Sequence, residues 1–182
     1  LEELLPQCDI VTLHVPYSQT GPDRTAGMAS SDFFAQMRSG ADFINCSRGP
    51  VMQDEALLQA LRSGKLNHIA IDTWNHEPNL DPELLQRALC ATPHIAGYSI
   101  QGKAAGTAAV VQAVARLYGW PLQTWYPNEV TPTIPNHTIT WVDLQQEMGH
   151  YFDIVSETDE LKSHPERFEQ MRNHYTYRTE FF

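Results

Sequence analysis

Four short apolar runs alternate with helical patterns over the first two thirds of the chain, and this alternation restricts the fold more than any single residue does. "CDIVTLHVP" (8–16) ends in proline, "ADFINCSRG" (41–49) and "LNHIAIDTW" (66–74) follow, and "CATPHIAG" (90–97) is the last; each reads as a short buried strand. Between them, "SSDFFAQMRSG" (30–40) opens on a capping Ser or Asp and closes on Gly40. "QDEALLQALRSGK" (53–65) carries acids in its first turn and Gly64 just past its end. "DPELLQRAL" (81–89) offers Asp81 as N-cap and Pro82 at the first helical position. Strands separated by helices in this order predict an α/β fold whose parallel sheet is built from right-handed crossovers.

A change of character follows Tyr118. "GWPLQTWYPNEVTPTIPNHTIT" (119–140) is rich in Pro, Thr and aromatic residues, and helical patterns return in "WVDLQQEMGHYFDIVSETDELK" (141–162) and "PERFEQMRNHYTYR" (165–178). Two domains are expected, 1–118 and 119–182. Trp120, Trp125, Tyr126 and Trp141 are expected in a core or an interface, since no basic residues interleave them for base stacking.

Charge and cysteine usage narrow the partners. With 12 Lys+Arg against 22 Asp+Glu the net charge is -10, which repels nucleic acid and anionic membranes. Cys8, Cys46 and Cys90 form no Cys-x-x-Cys pair, so no disulfide framework and no metal site is expected, and a reducing cytoplasm fits. The most apolar stretch, 104–115, is interrupted by Gly106, Thr107 and Gln112 and is too short to span a bilayer. The chain opens on Leu1 and closes on Phe182, and both ends read as cut.

The residues just beyond each strand carry the chemistry. His14 ends the first run, Ser47 and Arg48 follow the second, Asp72 closes the third and His94 follows the fourth. Ligands of open parallel sheets bind beyond the carboxyl ends of the strands, so these side chains are expected to converge on one edge. Arginine grips a carboxylate with a planar fork, and histidine exchanges a proton near neutral pH. Glu77, in the turn after the third strand, is available to orient a histidine. The set describes acid/base work on a small anion bearing a hydroxyl or carbonyl.

"NCSRGPV" (45–51), "AIDTWNHEP" (70–78) and "ATPHIAG" (91–97) resemble the three signature blocks of the D-isomer-specific 2-hydroxyacid dehydrogenases, in order and at reasonable spacing. The resemblance implies Arg48 as the substrate-carboxylate residue, His94 as general acid/base and Glu77 as its orienting carboxylate. It implies NAD as cofactor, contacted by Val15, Cys46, Ser47, Arg48, Asp72 and Gly97, with Tyr98 touching substrate. "HIAGYSIQGKAAGT" (94–107) and "FEQMRNHYTYRTEF" (168–181) are further similar to one branch, which oxidises a phosphorylated four-carbon 2-hydroxy acid on the bacterial route to pyridoxal phosphate. That branch implies a smaller α+β C-terminal dimerisation domain and a homodimer. Arg172 and Arg178 are then either phosphate contacts or plain helix-face charges beside Glu169 and Glu180, and Lys103 is assigned to the surface.

Three departures stand out. Gln53 replaces an acid that follows the Arg-Gly block in relatives, and Asn75 and His76 stand where Glu and Gly are common, placing a second titratable ring beside Glu77. No G-x-G-x-x-G followed by a ribose-binding acid is present. The chain therefore reads as the second half of a Rossmann-type NAD-binding domain with its linker helix and C-terminal domain. Two other classes remain open, another D-2-hydroxyacid dehydrogenase and a non-catalytic dimerisation or corepressor-like module of the same fold.

Overall fold

A computed structural model describes residues 1–131 and 140–180 of the chain. Positions 132–139, within the expected Pro- and Thr-rich stretch, lie outside the described residues. Compactness divides the chain into Leu1–Ile95 with Ile154–His174, and Ala96–Asp153 with Tyr175–Phe182.

The first unit is built on the expected sheet. Strands β1 (Ile10–Leu13), β2 (Ala41–Asn45), β3 (Leu66–Ile71) and β4 (Cys90–Ala91) lie side by side in chain order, all parallel. Helices α1 (Ser31–Gln36), α2 (Asp54–Arg62) and α3 (Pro82–Arg87) are the crossovers. Right-handed crossovers that always step the same way put every helix on one face. Burial follows: Leu13, Phe43, Ile69, Ile71 and Ala91 point into a core completed by Phe33, Phe34, Leu57, Leu84 and Leu85. On the other face Ile10 is 57% exposed. A bulge in β3 opposite Ala41 to Phe43 leaves both Asn67 and His68 exposed.

The helix ends follow from the sequence. Ser30 and Asp81 cap α1 and α3 by accepting from the amides of Phe33 and Leu84. Gly64 ends α2 in the left-handed conformation expected of it.

The boundary expected after Tyr118 is not where compactness falls, because α6 (Ile154–Ser163) and α7 (Phe168–Asn173) pack into the first unit. β4 is an edge strand only two residues long, and its Ala91 amide needs an acceptor. Thr158 Oγ1 of α6 supplies it at 3.1 Å, while Leu161 and Phe168 enter the sheet core.

The second unit contains α4 (Ile100–Tyr118) and α5 (Trp141–Tyr151). Ser99 caps α4 through the Gly102 amide, and Gly119 closes it at φ +68°. Among the described residues beyond Tyr118 the elements are helical; strand-like pairing is limited to one isolated bridge, between Ser99 and Arg178. Trp120 and Trp141 are 52% and 71% exposed, so neither is a core residue of this chain. No helix among the described residues is long and apolar enough to cross a membrane.

Candidate active site

The strand register builds the site's edge. Leu13, Asn45, Ile71 and Ala91 pair across the four strands in one row, so His14, Cys46, Asp72 and Thr92 all step off the sheet at the same carboxyl edge. At the β1 and β2 end of that edge, residues 14–17 and 46–48 line an open cleft of about 560 Å³. Val15, Cys46, Ser47 and Arg48 are thereby brought together. The volume lies in the range of small-molecule and cofactor sites, and the position beyond parallel strands is where a dinucleotide binds. The residues present therefore fit the nicotinamide cofactor that the sequence implied.

Asn45 organises this loop. It is fully buried, and its amide nitrogen donates to the backbone oxygens of Arg48 and Thr73 at 3.3 and 3.2 Å. Its oxygen accepts from the Ser47 amide at 3.1 Å and hydroxyl at 2.8 Å. Arg48 is exposed, donates to Ser47 O at 2.6 Å, and has no carboxylate partner among the described residues. Its fork is thus available for an anion.

Asp72 shapes the turn that presents the histidine. Its carboxylate accepts from Thr92 Oγ1 and from the Ile95 amide, each at 2.7 Å, and its carbonyl accepts from the His94 amide at 2.9 Å. These bonds hold His94 at φ +59°, a left-handed conformation that costs a non-glycine residue roughly 1 kcal/mol. The Trp74 indole ties β3 to β4 by donating to Thr92 O at 3.0 Å.

His94 and Glu77 meet. His94 Nδ1 lies 2.9 Å from Glu77 Oε2 and 3.2 Å from Oε1, and the Trp74 amide donates to Oε1 at 2.8 Å. Burial pushes the Glu77 carboxyl up. Hydrogen bonds from His94 and the Trp74 amide, with the positive charges of His94 and Arg172, outweigh it and hold the carboxyl below its ordinary value. An ionised Glu77 accepts only, so Nδ1 carries the proton and Nε2 is left to face a reactant.

Two of the departures become structural. Asn75 donates to Asp54 Oδ1 at 2.7 Å and to Met52 O at 3.2 Å, bracing the Glu77 loop against the Arg48 loop. Gln53 donates to Gly27 O at 3.2 Å. His76 is exposed, at φ +59°.

Gly97 and Tyr98 belong to the second unit. Nothing lies within 4 Å of the space a Cβ would fill at Gly97. The half-buried Tyr98 ring lies 5.5 Å from that of Tyr177, with Lys103 Nζ 3.9 Å from its centroid. Arg178 donates to the backbone oxygens of Ala96 and Tyr98.

Burial, with the nearby Asp72 charge, pushes the Cys46 thiol up to about 11. At pH 8 roughly one molecule in a thousand then carries the thiolate that alkylating agents require. Iodoacetamide followed by mass spectrometry is expected to leave Cys46 largely unlabelled after an hour; complete labelling within minutes would contradict this placement.

Asn45 and Thr92 are residues of the quoted motifs to which the sequence reading gave no role, and Arg172, expected as a phosphate contact or a helix-face charge, lies instead beside Glu77. Asn45 had a legible signal, an amide inside an apolar run, which burial obliges to find partners. Thr92 had none, and the signal for Arg172 pointed to a phosphate and not to Glu77.

Comparison with known proteins agrees with this architecture. Residues 1–96 match the family described as D-isomer specific 2-hydroxyacid dehydrogenase, NAD binding domain. The chain is 41% identical over 181 residues to an erythronate-4-phosphate dehydrogenase of Bacteroides fragilis, covering 99% of this chain and 51% of that protein. The crystal structure of D-mandelate dehydrogenase from Rhodotorula graminis superposes with a TM-score of 0.56 at 31% identity, over 72% of this chain and 37% of that one. A D-lactate dehydrogenase from Aquifex aeolicus, complexed with NAD and lactic acid, gives 0.53 at 27% identity, over 72% and 44%. The chain spans about half the length of the curated relatives it matches. The sheet, the cleft at its carboxyl edge and the matched residues together make this chain a member of the D-isomer specific 2-hydroxyacid dehydrogenase family, with the matched part of the NAD binding domain in residues 1–96.

Proposed function

We propose that this chain carries the acid/base machinery of an NAD-dependent dehydrogenase that oxidises 4-phospho-D-erythronate to 2-oxo-3-hydroxy-4-phosphobutanoate, a step toward pyridoxal phosphate. The observation that carries the reading is the His94 and Glu77 pair, at 2.9 Å, beside the edge where the Arg48 fork has no carboxylate partner among the described residues. The likeness to erythronate-4-phosphate dehydrogenases over nearly the whole chain supports the substrate.

Arg48 grips the substrate carboxylate and polarises the C2 oxygen as it becomes a carbonyl. His94 Nε2 takes the proton of the C2 hydroxyl, a transfer that this ring performs from its neutral form. Glu77 accepts from Nδ1 throughout and stabilises the imidazolium that results. Asp72 keeps the His94 turn in place. NAD, held by Val15, Cys46, Ser47, Arg48, Asp72 and Gly97, supplies the hydride acceptor when bound. Tyr98 contacts the substrate.

The second unit, Ala96–Asp153 with Tyr175–Phe182, serves as the dimerisation surface. Leu117, Tyr118, Trp120, Trp141 and Val142 are exposed, and a homodimer would give such apolar surface a partner. Three free cysteines fit a reducing cytoplasm.

NADH formation by the full-length protein with 4-phospho-D-erythronate, beside a panel of unphosphorylated D-2-hydroxy acids, tests the reading. Turnover of the phosphorylated acid at a kcat/KM at least tenfold above the others is expected. Turnover of only the unphosphorylated acids discards the vitamin pathway and keeps the chemistry; turnover of none makes the chain a non-catalytic module.

A further inference from the structure

The last helix delivers a cation to the acid/base pair. Glu77 Oε1 is occupied by the Trp74 amide and by His94, whereas Oε2 faces His94 Nδ1 at 2.9 Å and Arg172 Nη1 at 3.9 Å. At 3.9 Å the arginine is a charge partner and not a hydrogen-bond donor. The side chains are 34% and 20% exposed, so solvent weakens the attraction without abolishing it.

Packing, not local hydrogen bonding, puts the guanidinium there. Arg172 Nε is buried and has no hydrogen-bond partner among the described residues, a cost that no local contact returns. Its helix is fixed instead by Phe168, which is buried in the sheet core, and by Met171, packed against that core.

We propose that Arg172 is a positioning residue for the acid/base pair: presented by α7, it keeps the Glu77 carboxylate ionised and turned toward His94, so that Nδ1 holds the proton and Nε2 is free to react. This rests on the roles given above to His94 and Glu77. Arginine suits the task because it stays charged at every working pH. The charged groups facing Glu77 are then His94, from the turn after β4, and Arg172. Protonating Glu77 would make it a donor and destroy the tautomer, and Arg172 opposes that protonation.

The test uses full-length protein, wild type against Arg172→Gln and Arg172→Lys. The Glu77 carboxyl is titrated by carbon-13 NMR, assigned with Glu77→Gln, and turnover is followed in parallel. In Arg172→Gln the midpoint is expected to rise by roughly half a pH unit or more. The same variant is expected to lose about threefold in kcat, the factor to which half a pH unit corresponds, with the KM values for acid and NAD within about twofold of wild type, as loss of an effect confined to the chemical step requires. Lysine restores most of both. A midpoint unmoved in Arg172→Gln, or one that moves while kcat does not, overturns the proposal. If the midpoint moves and lysine restores it, but wild type oxidises no 2-hydroxy acid, the proposed reaction fails and the positioning of Glu77 stands.

Discussion

Replacing His94 by alanine in the full-length protein is expected to lower kcat for the 2-hydroxy acid by roughly a hundredfold to ten-thousandfold, the usual contribution of a positioned acid/base group. Water is too weak a base to take the C2 hydroxyl proton at a comparable rate, and hydride departure builds positive character at C2 that only loss of that proton relieves. Glu77 is a poor substitute, since its Oε1 already accepts from the Trp74 amide. NAD affinity is expected to change by less than about threefold, since His94 is not among the residues lining the cleft at β1 and β2. Stopped-flow NADH formation and fluorescence titration of NAD separate the two quantities. A loss of kcat below tenfold would mean that the proton leaves by another route, and a matching loss of NAD affinity would mean that the alanine had disturbed the fold.

Much of this site was legible because a parallel sheet repeats one geometric rule. His14, Cys46, Asp72 and Thr92 leave the sheet at one edge because their strands pair in chain order and in register, and that pairing follows from the alternation of apolar runs and helices. The Glu77 and His94 contact was legible from motifs, but its geometry depends on Asp72, whose Oδ1 accepts from both Thr92 and Ile95. Sequence gives a carboxylate at a strand end no mark by which to tell this bracing from a ligand contact. The packing of α6 and α7 on the sheet was hidden for a different reason. An amphipathic helix announces that it has an apolar face, not which surface covers it. Thr158 and Phe168 read equally well as members of a separate helical domain. Arg172 reads as a phosphate contact or a helix-face charge until Phe168 is seen to anchor its helix beside Glu77.

Gly49 is where the Arg48 and Glu77 loops touch, and alanine there is expected to damage both. A Cβ at position 49 would lie 1.9 Å from Trp74 O and 2.5 Å from the Asn75 nitrogen, so the backbones would have to part by about an ångström. This glycine provides room, not an unusual backbone angle. Neither loop can retreat freely. Asn45 bonds Arg48 O on one side and Thr73 O on the other, and Asn75 reaches across to Met52 O and Asp54. Separation therefore either breaks bonds to buried amides or drags Arg48 away from the Glu77 and His94 pair. Overpacking of this kind costs about 1–3 kcal/mol, and more where backbone has to move. Displacement of a positioned group by 1 Å costs on the order of a hundredfold in rate. In urea unfolding Gly49→Ala is expected to lose about 3 kcal/mol, and at temperatures where it stays folded kcat/KM is expected to fall about a hundredfold. Gly106→Ala is the control, since that glycine lies inside α4 with nothing within 4 Å of the added carbon. There alanine is expected to be neutral or to add up to about 1 kcal/mol of stability, by helix propensity. Equal behaviour of the two variants would mean that the Arg48 and Glu77 loops are not in contact, and the shared site would have to be abandoned with that contact.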